Sequence, residues 1–140
     1  MFNKKRSLII LILLVIILIG GYNFMEKQKI DAYVEKQKPR IEKYLKYHYN
    51  NIESVTITGT KKNPMGGFSI EGYINDDKDL YISARGELGT DIEYVSGLSY
   101  DFDQKYNKSN NNKSVSEIEE EERSSLSFDE KMKLLDKKNS

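Results

Sequence analysis

Phe68-Ser69-Ile70-Glu71-Gly72-Tyr73-Ile74 is the stretch on which the fold turns. Phe68, Ile70 and Ile74 fall on one side of an extended chain, and Ser69, Glu71 and Tyr73 on the other. That period of two marks a strand with one buried face. Gly72 inside it points to a bulge or a close backbone approach. Before the run comes Lys61-Lys62-Asn63-Pro64-Met65-Gly66-Gly67, whose paired glycines suit a tight turn with positive φ. After it comes Asn75-Asp76-Asp77-Lys78-Asp79, a second turn.

Working outward, Ser54-Val55-Thr56-Ile57-Thr58 is β-branched and alternating, and Leu80-Tyr81-Ile82-Ser83-Ala84-Arg85 sets Leu80, Ile82 and Ala84 on one face. Ile92 to Phe102, reached through Glu87-Leu88-Gly89-Thr90-Asp91, carries apolar residues at nearly every even position and reads as a fourth strand. Short connections between successive strands favour an antiparallel meander. Upstream, Glu26 to Asn50 has the spacing of a helix, with Ile30, Tyr33, Val34, Gln37, Ile41, Tyr44, Leu45 and His48 along one stripe. Pro39 predicts a kink or break near Lys38, and Asn50-Asn51 a stop. The stripe packs on a sheet, or the basic helix touches anionic lipid or a partner. The expected fold is therefore α+β: an N-terminal transmembrane helix, one helix packed on a four-stranded antiparallel meander, and a flexible polar tail.

The N-terminal segment is of another kind. Lys4-Lys5-Arg6 leads into Leu8-Ile9-Ile10-Leu11-Ile12-Leu13-Leu14-Val15-Ile16-Ile17-Leu18-Ile19-Gly20-Gly21, with no polar side chain from Leu8 to Gly21. Through Met25, a helix would extend about 27 Å, close to a hydrocarbon core of about 30 Å. Tyr22 and Phe24 sit where an interfacial aromatic belt belongs, and the basic triplet can snorkel at the other end. A buried core helix is disfavoured, because so small a chain cannot cover a helix that is apolar all round. A cleaved signal peptide needs small residues in an Ala-x-Ala-like pattern, which Ile19-Gly20-Gly21-Tyr22-Asn23-Phe24 fits poorly. The reading is an uncleaved signal anchor over residues 1–25 with its N-terminus in the cytoplasm. Residues 26–102 then form a small extracytoplasmic domain and residues 103–140 a disordered linker with a short polar helix.

Charge is unevenly distributed although 22 basic residues balance 22 acidic ones. Residues 26–50 hold seven basic against four acidic side chains, and residues 51–101 hold four against nine. An acidic body excludes the concentrated basic face that nucleic acid requires. Gln104 to Ser116, with Asn110-Asn111-Asn112, is too polar to offset its ordering entropy and reads as a flexible linker. Two glycosylation sequons, Asn107-Lys108-Ser109 and Asn112-Lys113-Ser114, lie there and matter only in a eukaryotic secretory pathway. In Glu117 to Lys138, Ile118, Leu126, Phe128, Met132 and Leu135 make a thin apolar stripe, while Glu119-Glu120-Glu121-Glu122 reads as a solvated face or part of a partner-docking helix.

With no cysteine and a lone histidine, His48, the chain has no disulfide framework, no thiolate chemistry and no cysteine-ligated metal. Spacing sets no acid partner or nucleophile beside His48, so it reads as a packing or surface residue. Asn75, Asp77 and Asp79 occupy positions 1, 3 and 5 of a calcium-loop pattern, but the required glycine is Leu80 and the terminal glutamate is Gly86. No catalytic, cofactor-binding or metal-ligating residue is assigned, and no cofactor or small-molecule substrate is expected.

The Tyr-rich helix end (Tyr44, Tyr47, Tyr49), Asn63-Pro64-Met65-Gly66-Gly67, Ile70-Glu71-Gly72-Tyr73-Ile74-Asn75 and Asp79-Leu80 together resemble an uncharacterised family of small membrane-anchored or lipoprotein-like proteins of Firmicutes. The resemblance covers Tyr33 to about Arg85 and leaves the tail after Asp103 outside. It implies envelope localisation and a domain of unknown function, and it supplies no catalytic residues. This chain lacks the lipid-attached cysteine that lipoprotein members carry. The expected role is a membrane-anchored module bound to lipid and to a protein partner, with an accessory or immunity-type task and an acidic outer sheet face (Glu71, Glu93). The competing reading is a structural stalk with no dedicated ligand. An enzyme is not expected.

Overall fold

The computed structural model describes residues 3–96, 99–106 and 112–138. Its elements are α1 (Lys4–His48), β1 (Val55–Lys62), β2 (Phe68–Ile74), β3 (Asp77–Gly86), α2 (Tyr100–Tyr106), α3 (Val115–Ser125) and α4 (Phe128–Lys138). The chain divides into two compact units, residues 1–36 and 37–140. The first is the N-terminal part of α1. Its apolar side chains from Leu8 to Ile19 are between 46% and 71% exposed.

The second unit is α+β. Its sheet is antiparallel with order β1-β2-β3. β2 alternates as expected: Phe68, Ile70, Gly72 and Ile74 are buried, and the residues between are half-buried. Leu80, Ile82 and Ala84 of β3 and Val55 of β1 join the buried face. Ile41 and Leu45 from the end of α1, Tyr49 just after it, Phe102 from α2 and Val115 and Ile118 from α3 join the core. Phe102 is fully enclosed, its ring 4.6 Å from that of Tyr49 and 5.4 Å from that of Tyr106.

The turns follow side-chain chemistry. Gly66 and Gly67 both have positive φ, and Asn63 accepts from the Met65 amide within the turn. Asn75 and Asp76 have φ of 53° and 55°, the left-handed pair of a two-residue hairpin. The loop resembling a calcium site is thus a tight turn, with Asp77 and Asp79 already inside β3. The Asn75 side chain accepts from the Glu53 and Ser54 amides and donates to the Asn51 carbonyl, tying the exit of α1 to the hairpin. Both expectations for Gly72 hold. A β-carbon there would lie 2.2 Å from the Thr56 carbonyl oxygen, and the facing strand is bulged between Ile57 and Gly59.

Four expectations need correction. The meander has three strands, not four. From Ile92 the backbone groups go elsewhere: the Ile92 amide donates to Gln37 Oε1, the Ile92 carbonyl accepts from Arg40 Nε, and the Glu93 carbonyl accepts from the Val115 amide. Among the described residues of this segment only Ser96 pairs with β3, through two reciprocal bonds with Ser83, and α2 begins at Tyr100. Gly97 and Leu98 of the expected strand lie outside the described residues. Second, Pro39 does not break α1, which is continuous from Lys4 to His48. The proline removes one intrahelical bond, while Gln37 and Arg40 on either side are held by residues 91–93. Third, the linker expected over Gln104–Ser116 is structured at both ends: Gln104 to Tyr106 belong to α2, and Val115 and Ser116 to α3. Ser114 caps α3, and Val115 is fully buried. Asn107-Lys108-Ser109 and the first two residues of Asn110-Asn111-Asn112 lie outside the described residues. Fourth, the helix expected over Glu117–Lys138 is two. α3 ends at its C-cap Leu126, and Ser127 begins α4 by accepting from the Lys131 amide and donating to the Glu130 carboxylate.

Gly72→Ala is expected to destabilise the domain by about 1–3 kcal/mol, because the new methyl meets backbone rather than a yielding side chain. Gly59→Ala, with open space at its β-carbon, serves as the contrast. Chemical unfolding of both variants checks the pair, and equal stability would refute the close-approach argument.

Candidate functional site

The polar centre of the domain forms where α1, the extended segment 91–95 and α3 meet. Helical spacing places Gln37, Arg40 and Tyr44 on adjoining turns of α1. Gln37 is fully buried; its Nε2 donates to Asp91 Oδ1 at 2.7 Å, and its Oε1 accepts from the Ile92 amide at 2.9 Å. The Arg40 side chain, only 15% exposed, donates to the Ile92 carbonyl (3.0 Å), to Glu93 Oε1 (2.8 Å) and to Glu119 Oε2 (3.1 Å). Glu93 also accepts from the Ser116 amide and hydroxyl, so it sits at the N-terminus of α3, where a carboxylate is favoured. Burial pushes the Glu93 carboxyl up, but the Ser116 bonds and the Arg40 charge outweigh it, and the net shift is downward.

α3 begins with a reciprocal capping box. The Glu117 amide donates to Ser114 Oγ, and the Ser114 amide donates to the Glu117 carboxylate. Those hydrogen bonds from Ser114 hold the Glu117 carboxyl below its ordinary range. Further along, Lys43 Nζ lies 2.8 Å from Glu122 Oε2, and Glu121 Oε2 accepts from both Lys113 and Tyr47. The glutamate run is therefore more than a solvated face: Glu119, Glu121 and Glu122 engage α1 or Lys113. Glu93 is not on the outer sheet face either, since its carboxylate is held by Arg40 and Ser116. Glu71 does stand there, opposite Ser83, with Arg85 and Lys61 flanking it on the adjoining strands.

His48 is buried between Tyr44 and Tyr47, with ring centroids at 4.3 and 5.1 Å. Its Nε2 is 2.8 Å from the Lys113 carbonyl, which only accepts, so that nitrogen carries the hydrogen. Its place is a packing one. Burial, and secondarily Tyr94, raises the Tyr44 phenol, whose hydroxyl donates to Asn112. Among the described residues no group of three or more histidine, aspartate or glutamate side chains could hold a metal ion.

On the outward side of this network α1 and α3 form an open groove of about 450 Å³, lined by Pro39, Glu42, Lys43, Lys46, Tyr47 and Glu122. Pro39 and the Tyr47 ring supply apolar surface, and two lysines and two glutamates supply balanced charge. Its ionic groups are already engaged in part with one another, Lys43 with Glu122. Sequence reasoning singled out Pro39 only as a break in the helix and Tyr47 only as part of its Tyr-rich end. The signal was present, because Pro39, Glu42, Lys43, Lys46 and Tyr47 follow the i, i+3, i+4, i+7 rule on the face away from the buried stripe.

Fold and site thus define a small α+β domain in a chain that also carries a long apolar helix. The chain belongs to the DUF1433 family, described as a protein of unknown function, whose pattern matches residues 33–120. The match starts where the resemblance begins, at Tyr33, and extends past it to include most of α3. The chain is also similar to the folded 79-residue fragment of Lin0334 from Listeria innocua, determined by solution NMR. That likeness has 31% identity and a TM-score of 0.51, and covers 64% of this chain and 94% of the fragment. Comparison with curated proteins finds no match.

Arg40→Met is expected to destabilise the domain by about 2–3 kcal/mol, since it removes the guanidinium from the Ile92 carbonyl, the Ser116 hydroxyl and the Glu93 and Glu119 carboxylates and leaves both carboxylates without their cation. Urea unfolding checks this, and loss of under about 0.5 kcal/mol would refute the central role of Arg40. Acid should loosen α3. Glu93 titrates lower in the fold than its unfolded value of about 4.3, so its stabilisation is present above that value and is lost as pH falls through the folded one. Hydrogen-exchange protection at the Val115 amide, corrected for the intrinsic pH dependence of exchange, should fall as pH drops through the folded value of Glu93, and less so in Glu93→Gln.

Proposed function

We propose that this protein is a single-pass, membrane-anchored envelope protein whose domain recognises another protein through the α1/α3 groove. The observation that carries the reading is the run Leu8–Met25 in α1, a helix long and apolar enough to cross a membrane, with its large apolar side chains exposed on every side. Leucine and isoleucine side chains exposed on all faces of a helix are unfavourable in water and favourable in lipid. A helix also satisfies its own backbone there. A signal sequence has the same length and composition, but the Gly20-Gly21-Tyr22 exit suits cleavage poorly. Basic residues flank the apolar run on both sides, Lys4, Lys5 and Arg6 before it and Lys27, Lys29, Lys36, Lys38 and Arg40 after it, so their count does not set the direction. The very short basic segment feeding the apolar run has the form of an export signal, which favours a cytoplasmic N-terminus with the domain outside.

For the partner, the support is the groove itself. It is open, carries an aromatic ring and a proline, and holds compensating charge. Aromatic surface ringed by polar groups is the composition of protein-binding patches. Two lysines (Lys43, Lys46) set beside two glutamates (Glu42, Glu122) favour a partner of mixed charge over a polyanion.

Leu14→Arg places a charge at mid-membrane and should weaken insertion by about 2.5–3.5 kcal/mol. The fraction of full-length chain resisting alkaline carbonate extraction reports this, and an unchanged fraction would refute anchoring. For the groove, a photo-cross-linking residue at position 47 in the membrane-resident chain should give one discrete adduct, and the same probe at position 81 on the open sheet face none. No adduct at 47, or equal adducts at both positions, would refute the groove as the recognition surface.

A further inference from the structure

We propose that α4 pairs, in parallel, with α4 of a second copy of this chain. α4 starts with its own cap, in which Ser127 and Glu130 satisfy each other, and this holds the Glu130 carboxyl below its ordinary range. The helix buries none of its residues. Phe128 is 76% exposed, Met132 45% and Leu135 55%. Their spacing, four then three, is that of a coiled-coil seam, with Phe128 and Leu135 at d positions and Met132 at a. The borders of the seam differ in sign. Asp129 and Asp136 occupy the e positions, and Lys131 and Lys138 the g positions.

That arrangement selects both the occupant and its direction. In a parallel pair a g residue meets the e residue of the following heptad on the partner, so each Lys131 faces Asp136 of the other copy, twice by symmetry. In an antiparallel pair like borders meet, lysine against lysine and aspartate against aspartate, which is repulsive. An anionic lipid surface would repel the aspartate border. A second copy set parallel is therefore the occupant whose charges match both borders. The seam is only about one and a half heptads long, too short to hold two chains together in dilute solution. The inference thus rests on the anchored reading, in which the membrane gives every copy one orientation and a high local concentration.

The full-length chain has no cysteine, so single introduced thiols report the geometry directly. In membranes, Leu135→Cys should give a disulfide-linked dimer under mild oxidation, and Lys133→Cys, on the opposite face, little. Adding Lys131→Glu should lower the Leu135→Cys dimer about threefold to tenfold, since two attractive pairs become repulsive. Adding Asp136→Lys to that variant should restore it. Linkage between a Phe128→Cys chain and a Leu135→Cys chain would mean antiparallel pairing and overturn the proposal, because these sites lie about 10 Å apart along a parallel pair. Shielding of the thiol introduced at position 135 from aqueous thiol reagents without dimer formation would mean that lipid covers the seam, and would also overturn it. Carbonate extraction of the same samples reads anchoring separately. A chain that is anchored yet unlinked refutes the pairing alone. A linked and charge-dependent dimer outside the membrane fraction upholds the pairing and refutes the anchor.

Discussion

One guanidinium organises the domain. Arg40 reaches the Ile92 carbonyl, the Glu93 carboxylate and the Glu119 carboxylate, residues 52 to 79 positions away in the chain. A planar fork of five donors can serve three acceptors at once, which a lysine ammonium on its flexible stem does less well. The consequences spread outward. By taking the Ile92 carbonyl, Arg40 helps draw the segment after Asp91 away from the sheet. By fixing Glu93, it places a carboxylate where the first amides of α3 need an acceptor. By holding Glu119, it lays α3 along α1, and that contact creates the groove. Gln37 does the neutral part of the same work one turn earlier.

The zero net charge of the chain has a structural meaning in this light. The basic end of α1 and the acidic start of α3 are complementary surfaces of one domain. The individual surface pairs are weak: Lys43 and Glu122 have side chains 34% and 59% exposed, a setting where a pair contributes about 0–1 kcal/mol. Arg40 is different because it is largely enclosed and its acceptors are fully used. The buried Val115 and Ile118 supply the apolar adhesion of α3, and the charges set its register.

The elements that were legible in the sequence are those whose partners are close by in the chain. β2 shows its period of two, Asn75-Asp76 and Gly66-Gly67 show their turns, and the stripe from Gln37 to His48 shows its buried side. What was hidden depends on distant groups. Ile92 to Phe102 looks like a strand because its apolar residues alternate, yet among its described residues only Ile92, Val95 and Phe102 are buried, while Tyr94 and Tyr100 are exposed. Its backbone is claimed by Gln37, Arg40 and Val115, which no local pattern reveals. The polar stretch before Val115 resembled a linker, but two Ser-x-x-Glu signatures, Ser114 to Glu117 and Ser127 to Glu130, mark the starts of α3 and α4. Composition outweighed those local signals. The groove was obscured for the opposite reason: Pro39, Glu42, Lys43, Lys46 and Tyr47 are ordinary side chains on the face of α1 away from the core, and only the arrival of α3 with Glu122 turns them into a wall.

The same network bears on why recognition, rather than chemistry, is the proposed task. Acid–base catalysis needs a titratable group poised near the working pH and aimed at a space a substrate can enter. Around the groove the resolved shifts run the other way. Lys113 holds Glu121 lower, and Glu121 holds Lys113 higher, each stabilising the charged form of the other. Such a pair stays ionised across the neutral range and moves no proton. It offers a fixed pattern of charge on a helical frame, with Tyr47 bridging it to α1. A partner matching that pattern gains by register and shape, and a mismatched one meets charges already satisfied within the domain. On the proposed reading, selectivity thus arises from the pairing that holds α3 in place, so the contacts that stabilise the fold also define its recognition surface.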